Sequence, residues 1–156
     1  MQRQRGFTLI ELMITMVVLA ILAAIAIPSY TDYIRRGKIP EATSNLLAMK
    51  TKMEQFFQDA RTYPTACVTT APAAGQIQIP TLQHFVLSCG NLSQTTYTIT
   101  ATGGGTSGDA SMTGIAYSIN QGNARSTTVT AGTTMAKAGY SAVISPCWVS
   151  KKPAQC

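Results

Sequence analysis

Residues 6–30 read GFTLIELMITMVVLAILAAIAIPSY, and this stretch decides the fold. Phe7 to Ile27 is an apolar run of about 21 residues, long enough at about 1.5 Å per residue to cross a membrane as a helix. Glu11 is the single charged residue in that run. A carboxylate inside a membrane-length segment is costly, so such residues usually have a function. The stretch therefore predicts a long N-terminal helix in which Glu11 has a specific role.

The leader before this run, MQRQRG, is compatible with three fates of the N-terminus. A conventional secretory signal peptide would be removed after Ala26, behind the small-x-small pattern of Ala24 and Ala26. An uncleaved membrane anchor would keep the whole leader. Cleavage after Gly6 would remove the leader and keep the apolar run. Signal-peptide cores rarely carry a carboxylate, so Glu11 argues against the first of these.

Glu11 also has a simpler explanation as part of a helix cap. Thr8 to Glu11 has the S/T-x-x-E form of a capping box just ahead of an apolar run. A glutamate in the first turn also suits the positive end of the helix dipole. Capping explains where the helix starts, but it does not explain why the glutamate lies inside the apolar run.

RGFTLIEL at residues 5–12, followed by an apolar helix ending in IAIPSY, resembles the class III signal of type IV pilins and type II secretion pseudopilins. The resemblance implies that a prepilin peptidase cuts after Gly6 and methylates the new N-terminus at Phe7. It also implies that Glu11 faces the Phe7 amine of a neighbouring subunit in a filament of parallel helices. An unpaired buried charge is strongly destabilising, which gives that pairing its physical basis.

The second half of the predicted helix is amphipathic. Apolar residues recur at steps of three and four and predict one buried stripe: Ile39, Ala42, Leu46, Met49, Met53, Phe56 and Ala60. The remaining face is predicted to face solvent, or alternatively to contact other subunits, and it carries Lys50, Lys52, Glu54 and Asp59. Gly37 and Pro40 predict a bend near residues 37–40. Pro64 ends the helix, because the residue before a proline is disfavoured in the α region.

After Pro64 the helical periodicity is lost, and the chain predicts an antiparallel β-sheet. Four short strands are expected, at residues 85–89, 97–101, 115–119 and 126–130. Residues 121–123 are expected to form a hairpin loop, and residues 103–108 are expected to form a flexible glycine-rich loop. The expected fold is α+β, with the long N-terminal helix packed on a C-terminal antiparallel sheet head, as in pilins.

These elements predict four segments along the 156-residue chain. They are a cleaved leader (1–6), a transmembrane or filament-core helix (7–29), an amphipathic helix (30–62) and a disulfide-stapled head (63–156).

All four cysteines lie in the head, at Cys67, Cys89, Cys147 and Cys156. An even number in an exported domain indicates two disulfides, and the residues themselves leave three pairings open. Without a C-x-x-C pair, and with one histidine, the sequence gives no support for a metal site. The resemblance to type IVa pilins, through CWVSKK near the C-terminus, implies a Cys147–Cys156 loop and a Cys67–Cys89 pair.

Trp148, Lys151 and Lys152 form a second candidate site near the C-terminus. An aromatic ring beside two lysines would stack on a base and neutralise phosphates, which makes DNA a candidate partner. The alternative is that Trp148 packs on the sheet and the lysines face water. His84 has no catalytic companion in the sequence, and GGGTSGD lacks the lysine of a phosphate-binding loop.

The sequence is therefore identified as a member of the type IVa prepilins, a structural subunit and not an enzyme, with no cofactor. The resemblance implies other pilin subunits, a prepilin peptidase and an inner-membrane assembly platform as partners. It implies an inner-membrane precursor that becomes an extracellular filament for adhesion, twitching motility or DNA uptake. Two alternatives stay open: a pseudopilin of type II secretion, and a secreted β-rich binding domain with a conventional signal peptide.

Overall fold

The computed structural model describes residues 6–104, 109–140, 147–152 and 155–156. The chain divides into two compact units, Met1–Ile34 and Arg35–Cys156. Residues 1–5 of the predicted leader and residues 105–108 of the predicted glycine-rich loop lie outside the described residues.

The long helix α1 spans Leu9–Ala60. Thr8 Oγ1 accepts a hydrogen bond from Glu11 N at 3.3 Å, so the threonine caps the first turn as expected. Pro28, Gly37 and Pro40 all lie within the unbroken helix, so the bend expected near 37–40 does not interrupt it. The helix ends two residues earlier than predicted, because Arg61 adopts a left-handed conformation with φ of 59°.

The buried stripe of α1 is shorter than the sequence pattern. Its buried members are Ile39, Ala42, Leu46, Met49 and Met53. The last two predicted positions do not belong to it, since Phe56 is half-buried and Ala60 is exposed. Phe57 packs against the core at this end instead. The buried stripe therefore ends at Met53, about two turns before the end of the helix at Ala60.

The main sheet has four antiparallel strands, as expected. They are β3 (Phe85–Gly90), β4 (Thr98–Gly103), β5 (Ile115–Asn120) and β6 (Arg125–Val129), in the order β3-β4-β5-β6. The strand limits differ from the predicted ones by one or two residues. The expected 121–123 hairpin joins β5 to β6, where Asn123 has φ of 59° and Asn120 Oδ1 accepts from Ala124 N.

Four short elements escaped prediction. Two three-residue strands, β1 (Ala66–Val68) and β2 (Gln76–Gln78), form a parallel pair. A 3₁₀ turn at Ala110–Met112 and the short helix α2 (Thr134–Lys137) lie on either side of β5 and β6 in the chain. Each of these elements is too short to show a hydrophobic period.

The core of the second unit lies between α1 and the inner face of the sheet. It contains Leu46, Met49 and Met53 from the helix and alternate residues of the strands. Its largest fully buried side chains include Tyr97, Tyr117 and Tyr140. The Tyr117 hydroxyl donates to Val149 O at 2.9 Å, which ties the sheet to the C-terminal segment.

Candidate functional site

The first candidate site is the apolar, N-terminal part of α1. Within the first unit its large side chains are exposed from Phe7 to Tyr33, and Phe7 has 81% of its surface accessible. The helix is long and apolar enough, by length and composition, to cross a membrane. Exposed apolar surface of this extent requires lipid or other protein to cover it.

Glu11 lies in the first turn of this helix and is exposed. Its backbone N–H is held by Thr8, so the capping explanation accounts for the backbone. The described part of the chain contains no ion pair to its carboxylate. Gly6 and Phe7 precede the helix and are also exposed. The structure thus brings together the three residues of the predicted processing and assembly site at one helix end.

The second candidate site lies at the C-terminal loop. The Trp148 indole donates to Ser118 O at 2.9 Å, and the Arg125 guanidinium lies 4.8 Å from its ring centroid. Trp148 is therefore packed on the sheet, as the alternative interpretation expected. A base would have to displace Arg125 to stack on the covered face of the indole. Lys151 is exposed, whereas Lys152 Nζ lies 5.6 Å from the centroid of the Tyr140 ring.

Two disulfides and one threonine hold this loop and the small strands in place. Cys147 is bonded to Cys156, and Cys67 is bonded to Cys89. Thr127 is buried on β6, where its hydroxyl donates to Cys147 O at 3.2 Å and accepts from Val149 N at 3.0 Å. The C-terminal loop is therefore fastened to the sheet as well as closed on itself.

Sequence reasoning missed a polar cluster at the start of β3. Asp109 Oδ2 accepts from Lys38 Nζ at 2.8 Å and lies 2.6 Å from His84 Nδ1. Asp109 Oδ1 accepts from the backbone and hydroxyl of Ser111. The Glu41 carboxylate accepts from the backbone of Gln83 at 2.7 Å and of His84 at 3.0 Å. Lys38 therefore belongs to the second unit, where it is paired with Asp109.

The electrostatics of this cluster favour ionised Asp109. Burial alone would raise the pKa of its carboxyl group, but hydrogen bonds from Lys38 and Ser111 and the Lys38 charge outweigh burial. Together they hold the pKa of Asp109 well below its usual range. Because Asp109 accepts from three donors, one of which is the Lys38 ammonium, the cluster has a structural role.

Glu54 corrects a second sequence-based assignment. It was placed on the solvent face of α1, but its carboxylate accepts from Tyr97 Oη at 2.9 Å and from Tyr63 Oη at 3.2 Å. The rings of Tyr63 and Tyr97 meet edge to face at 4.6 Å. Burial, followed by the hydrogen bond to and the charge of Glu54, raises the pKa of Tyr97. Glu54 is thus a helix residue that orients two aromatic side chains of the head.

The fold and the exposed N-terminal helix together define a pilin-like protein, and comparison with known proteins identifies its family. Residues 1–27 match the motif described as "Prokaryotic N-terminal methylation motif". Residues 28–113 match the family described as "Type IV minor pilin ComP, DNA uptake sequence receptor". The second match covers more than half of the chain, and the chain belongs to this family of type IV pilins.

Relatives match mainly over the N-terminal region. A fimbrial protein of Pseudomonas aeruginosa is 48% identical over 61 residues, covering 39% of this chain and 40% of the relative. The type IV major pilin protein PilA of Myxococcus xanthus is 49% identical over 61 residues, covering 39% of this chain and 28% of the relative. The region of this chain that matches these relatives therefore covers less than half of their length.

A solved structure supports the fold. The non-core minor pilin PilV of Neisseria meningitidis superposes with a TM-score of 0.51 at 17% identity. The match covers 66% of this chain and 95% of that one. The expected α+β pilin fold is thereby confirmed.

Proposed function

We propose that this chain is a structural subunit of a type IV pilus, held in the inner membrane as a precursor and assembled through its N-terminal helix. The observation that carries the proposal is the exposed apolar half of α1, which begins directly after Gly6 and Phe7 and holds the single carboxylate of Glu11. The methylation motif matched by residues 1–27 supports it. The chain contributes packing surface, and no step of chemistry is assigned to it.

Two opposite charges, the Phe7 ammonium and the Glu11 carboxylate, link the proposed processing to the proposed assembly. Cleavage after Gly6 by a prepilin peptidase creates an ammonium group at Phe7, and N-methylation leaves it basic. When the helix leaves lipid for the filament core, exposed apolar side chains pack on neighbouring helices. Glu11 then needs a positive partner, because a buried carboxylate without one is strongly destabilising. The Phe7 amine of an adjacent subunit supplies that charge and sets the axial register between the helices.

Intact mass with N-terminal fragmentation, on protein from the native membrane and from sheared filaments, tests the processing. The expected N-terminus is methylated Phe7 in both fractions after processing, with the two disulfides intact. An N-terminus at Ile27 would overturn the proposal, because the apolar helix would have been discarded. A chain that starts at Met1 in both fractions would overturn it equally.

A Glu11→Gln variant tests the assembly contact. We expect sheared filament to fall by about tenfold or more while the membrane level stays unchanged, because the amide keeps the shape and loses the charge. Thr15→Val is the matched control, since Thr15 is another polar residue in the same exposed run and bonds only its own helix, to Leu12 O. Equal filament yields from both variants would contradict the role of Glu11.

A second candidate function is binding of double-stranded DNA by the C-terminal loop. The family description names a DNA uptake sequence receptor. In this chain the Arg125 guanidinium lies 4.8 Å from the Trp148 ring, and the exposed Lys151 follows Trp148 by three residues in the sequence. Asp109 is the single acidic residue after Asp59. We infer contact with phosphates through these cations, with the indole as their support.

The DNA proposal is tested by fluorescence anisotropy of a labelled duplex at several salt concentrations. Lys151→Ala should weaken binding and reduce the slope of log K against log salt by about 1. Lys52→Ala, which removes an exposed lysine from α1, is the control and should leave the slope unchanged. Identical slopes for the two variants would place any DNA contact elsewhere on the chain.

A further inference from the structure

A pocket opens in the second unit, just beyond the C-terminal end of α1. Residues 62–65, which follow the helix, line it on one side, and residues 92–94, from the turn between β3 and β4, line it on the other. Its volume is about 340 Å³, within the range of about 300–1,000 Å³ that small-molecule sites usually have. The pocket is separate from the C-terminal loop and from the apolar half of α1.

The first wall of the pocket is held in place by contacts inside the protein. The backbone N–H of Tyr63 donates to Gln94 O at 3.2 Å, which joins the two walls. The Tyr63 hydroxyl donates to the Glu54 carboxylate at 3.2 Å, and its ring meets the edge of Tyr97 at 4.6 Å. Because these contacts exist without a ligand, binding would require little ordering of this wall.

The second wall is a turn fixed by its own hydroxyl groups. Ser93 Oγ accepts from Thr95 N at 3.3 Å and from Thr96 N at 3.0 Å. The Thr96 hydroxyl donates to Asn91 O at 2.9 Å, and Asn91 adopts the left-handed conformation with φ of 50°. Such local bonds from serine and threonine define the backbone of a turn. They leave the side chain of the residue at its tip, Gln94, available for contact with a ligand.

The pocket offers uncharged hydrogen-bonding groups next to apolar surface. Within the described residues, neither the Gln94 side chain nor the Thr62 hydroxyl forms a hydrogen bond. The amide supplies two donors and an acceptor, and the hydroxyl supplies one donor and an acceptor. Leu92 is half-buried beside them and packs against the core. The lining at residues 62–65 and 92–94 carries no charge.

We propose that this pocket binds a neutral hexopyranoside sugar. The sugar hydroxyls exchange hydrogen bonds with the Gln94 amide and the Thr62 hydroxyl, and one C–H face of the ring lies on Leu92. An ionised ligand is disfavoured, because it would lose hydration without gaining an opposite charge from the lining. Arg61 precedes Thr62 in the chain, but it is exposed and is not among the described lining residues.

Saturation-transfer NMR on the full chain tests the proposal, in dodecylphosphocholine micelles because this detergent has no sugar headgroup. The probes are the methyl glycosides of glucose, galactose and N-acetylglucosamine, with methyl glucuronide as the charged counterpart. We expect transfer to at least one neutral glycoside, a shift of the Gln94 side-chain amide resonances, and weaker binding of the glucuronide. Absence of transfer to all three neutral probes would overturn the proposal, as would glucuronide binding that equals or exceeds theirs.

Two substitutions on the same turn connect binding to the pocket. Gln94→Ala should raise the dissociation constant of the neutral glycoside about tenfold, because it removes the bonds made by the amide. Thr95→Ala is the matched control, since Thr95 is the exposed neighbour of Gln94 and lies outside the described lining. Thermal unfolding followed by circular dichroism should be the same for both variants. Equal dissociation constants for the two variants would overturn the assignment of the sugar to this pocket.

Discussion

Lys38 Nζ on α1 and Asp109 Oδ2 before the 3₁₀ turn lie 2.8 Å apart, although 71 residues separate them in the chain. Both side chains are mostly buried, with 19% and 13% of their surfaces exposed. His84 at the start of β3 contacts the same carboxylate oxygen. One carboxylate therefore joins the helix, the first strand of the main sheet and the connection between β4 and β5.

Asp109→Asn should reduce the stability of the head near neutral pH by about 1–3 kcal/mol, because it removes a charge-assisted hydrogen bond from Lys38. The pKa of Asp109 is lowered in the folded state, so its contribution is complete above the unfolded pKa and is lost as pH falls below about 4. Urea unfolding of the full chain at several pH values should show this acid-dependent loss. Asp59→Asn, on an exposed residue, is the control; a similar change in that variant would contradict the assignment.

The contact between Glu54 and Tyr97 should appear as a coupling energy of about 1–2 kcal/mol. Glu54→Gln and Tyr97→Phe, alone and combined, form the cycle, with unfolding followed by circular dichroism. The raised pKa of Tyr97 means that its stabilising contribution is present below about pH 10 and is lost as pH rises further. Strictly additive effects would show that the 2.9 Å hydrogen bond contributes no coupling.

Gly114→Ala should destabilise the head by about 2–4 kcal/mol. Gly114 has φ of 93°, and an added methyl group would overlap the Thr133 side chain. Gly132→Ala separates backbone strain from steric overlap, because Gly132 has φ of 78° but open space around the added carbon. We expect about 1 kcal/mol there from backbone strain. Equal midpoints in urea for the two variants would rule out the steric contribution.

Thr127→Val should release the C-terminal loop from β6. The change keeps the shape of the side chain but removes the bonds to Cys147 O and Val149 N, at a cost of about 1–3 kcal/mol. Faster amide exchange at Val149 and altered fluorescence of Trp148, the one tryptophan in the chain, would report the release. Thr128→Val, on the exposed face of the same strand, should change neither signal. An unchanged Val149 exchange rate in Thr127→Val would contradict the role of the hydroxyl.

Local periodicity explains why the main elements could be predicted. The apolar run and the stripe from Ile39 to Met53 repeat at helical spacing, and β3 to β6 are rich in β-branched and aromatic residues bounded by turn residues. The three-residue strands β1 and β2 carry no such period. Their parallel pairing depends on how the chain between α1 and β3 folds back, which no short window of sequence contains.

The residues of the candidate site also fall into those that the sequence predicted and those that only the fold brought together. Gly6, Phe7 and Glu11 are neighbours in the chain, so their relation was readable from the motif. The partners of Glu54 and Asp109 were not, because Tyr97 and Lys38 are 43 and 71 residues away from them. By its spacing Glu54 belongs to the solvent face of α1. In the folded protein the hydroxyl groups of Tyr63 and Tyr97 donate to its carboxylate.

By itself the sequence determined the long helix, its apolar and amphipathic halves, and the β-rich head, since each follows from patterns within a few turns or one hairpin. Only the tertiary structure decided which polar groups meet and where the Trp148 indole packs. Those outcomes depend on contacts between distant segments, because a hydrogen bond or ion pair requires two groups to be brought within about 3 Å of each other. Packing of the helix on the sheet supplies that proximity.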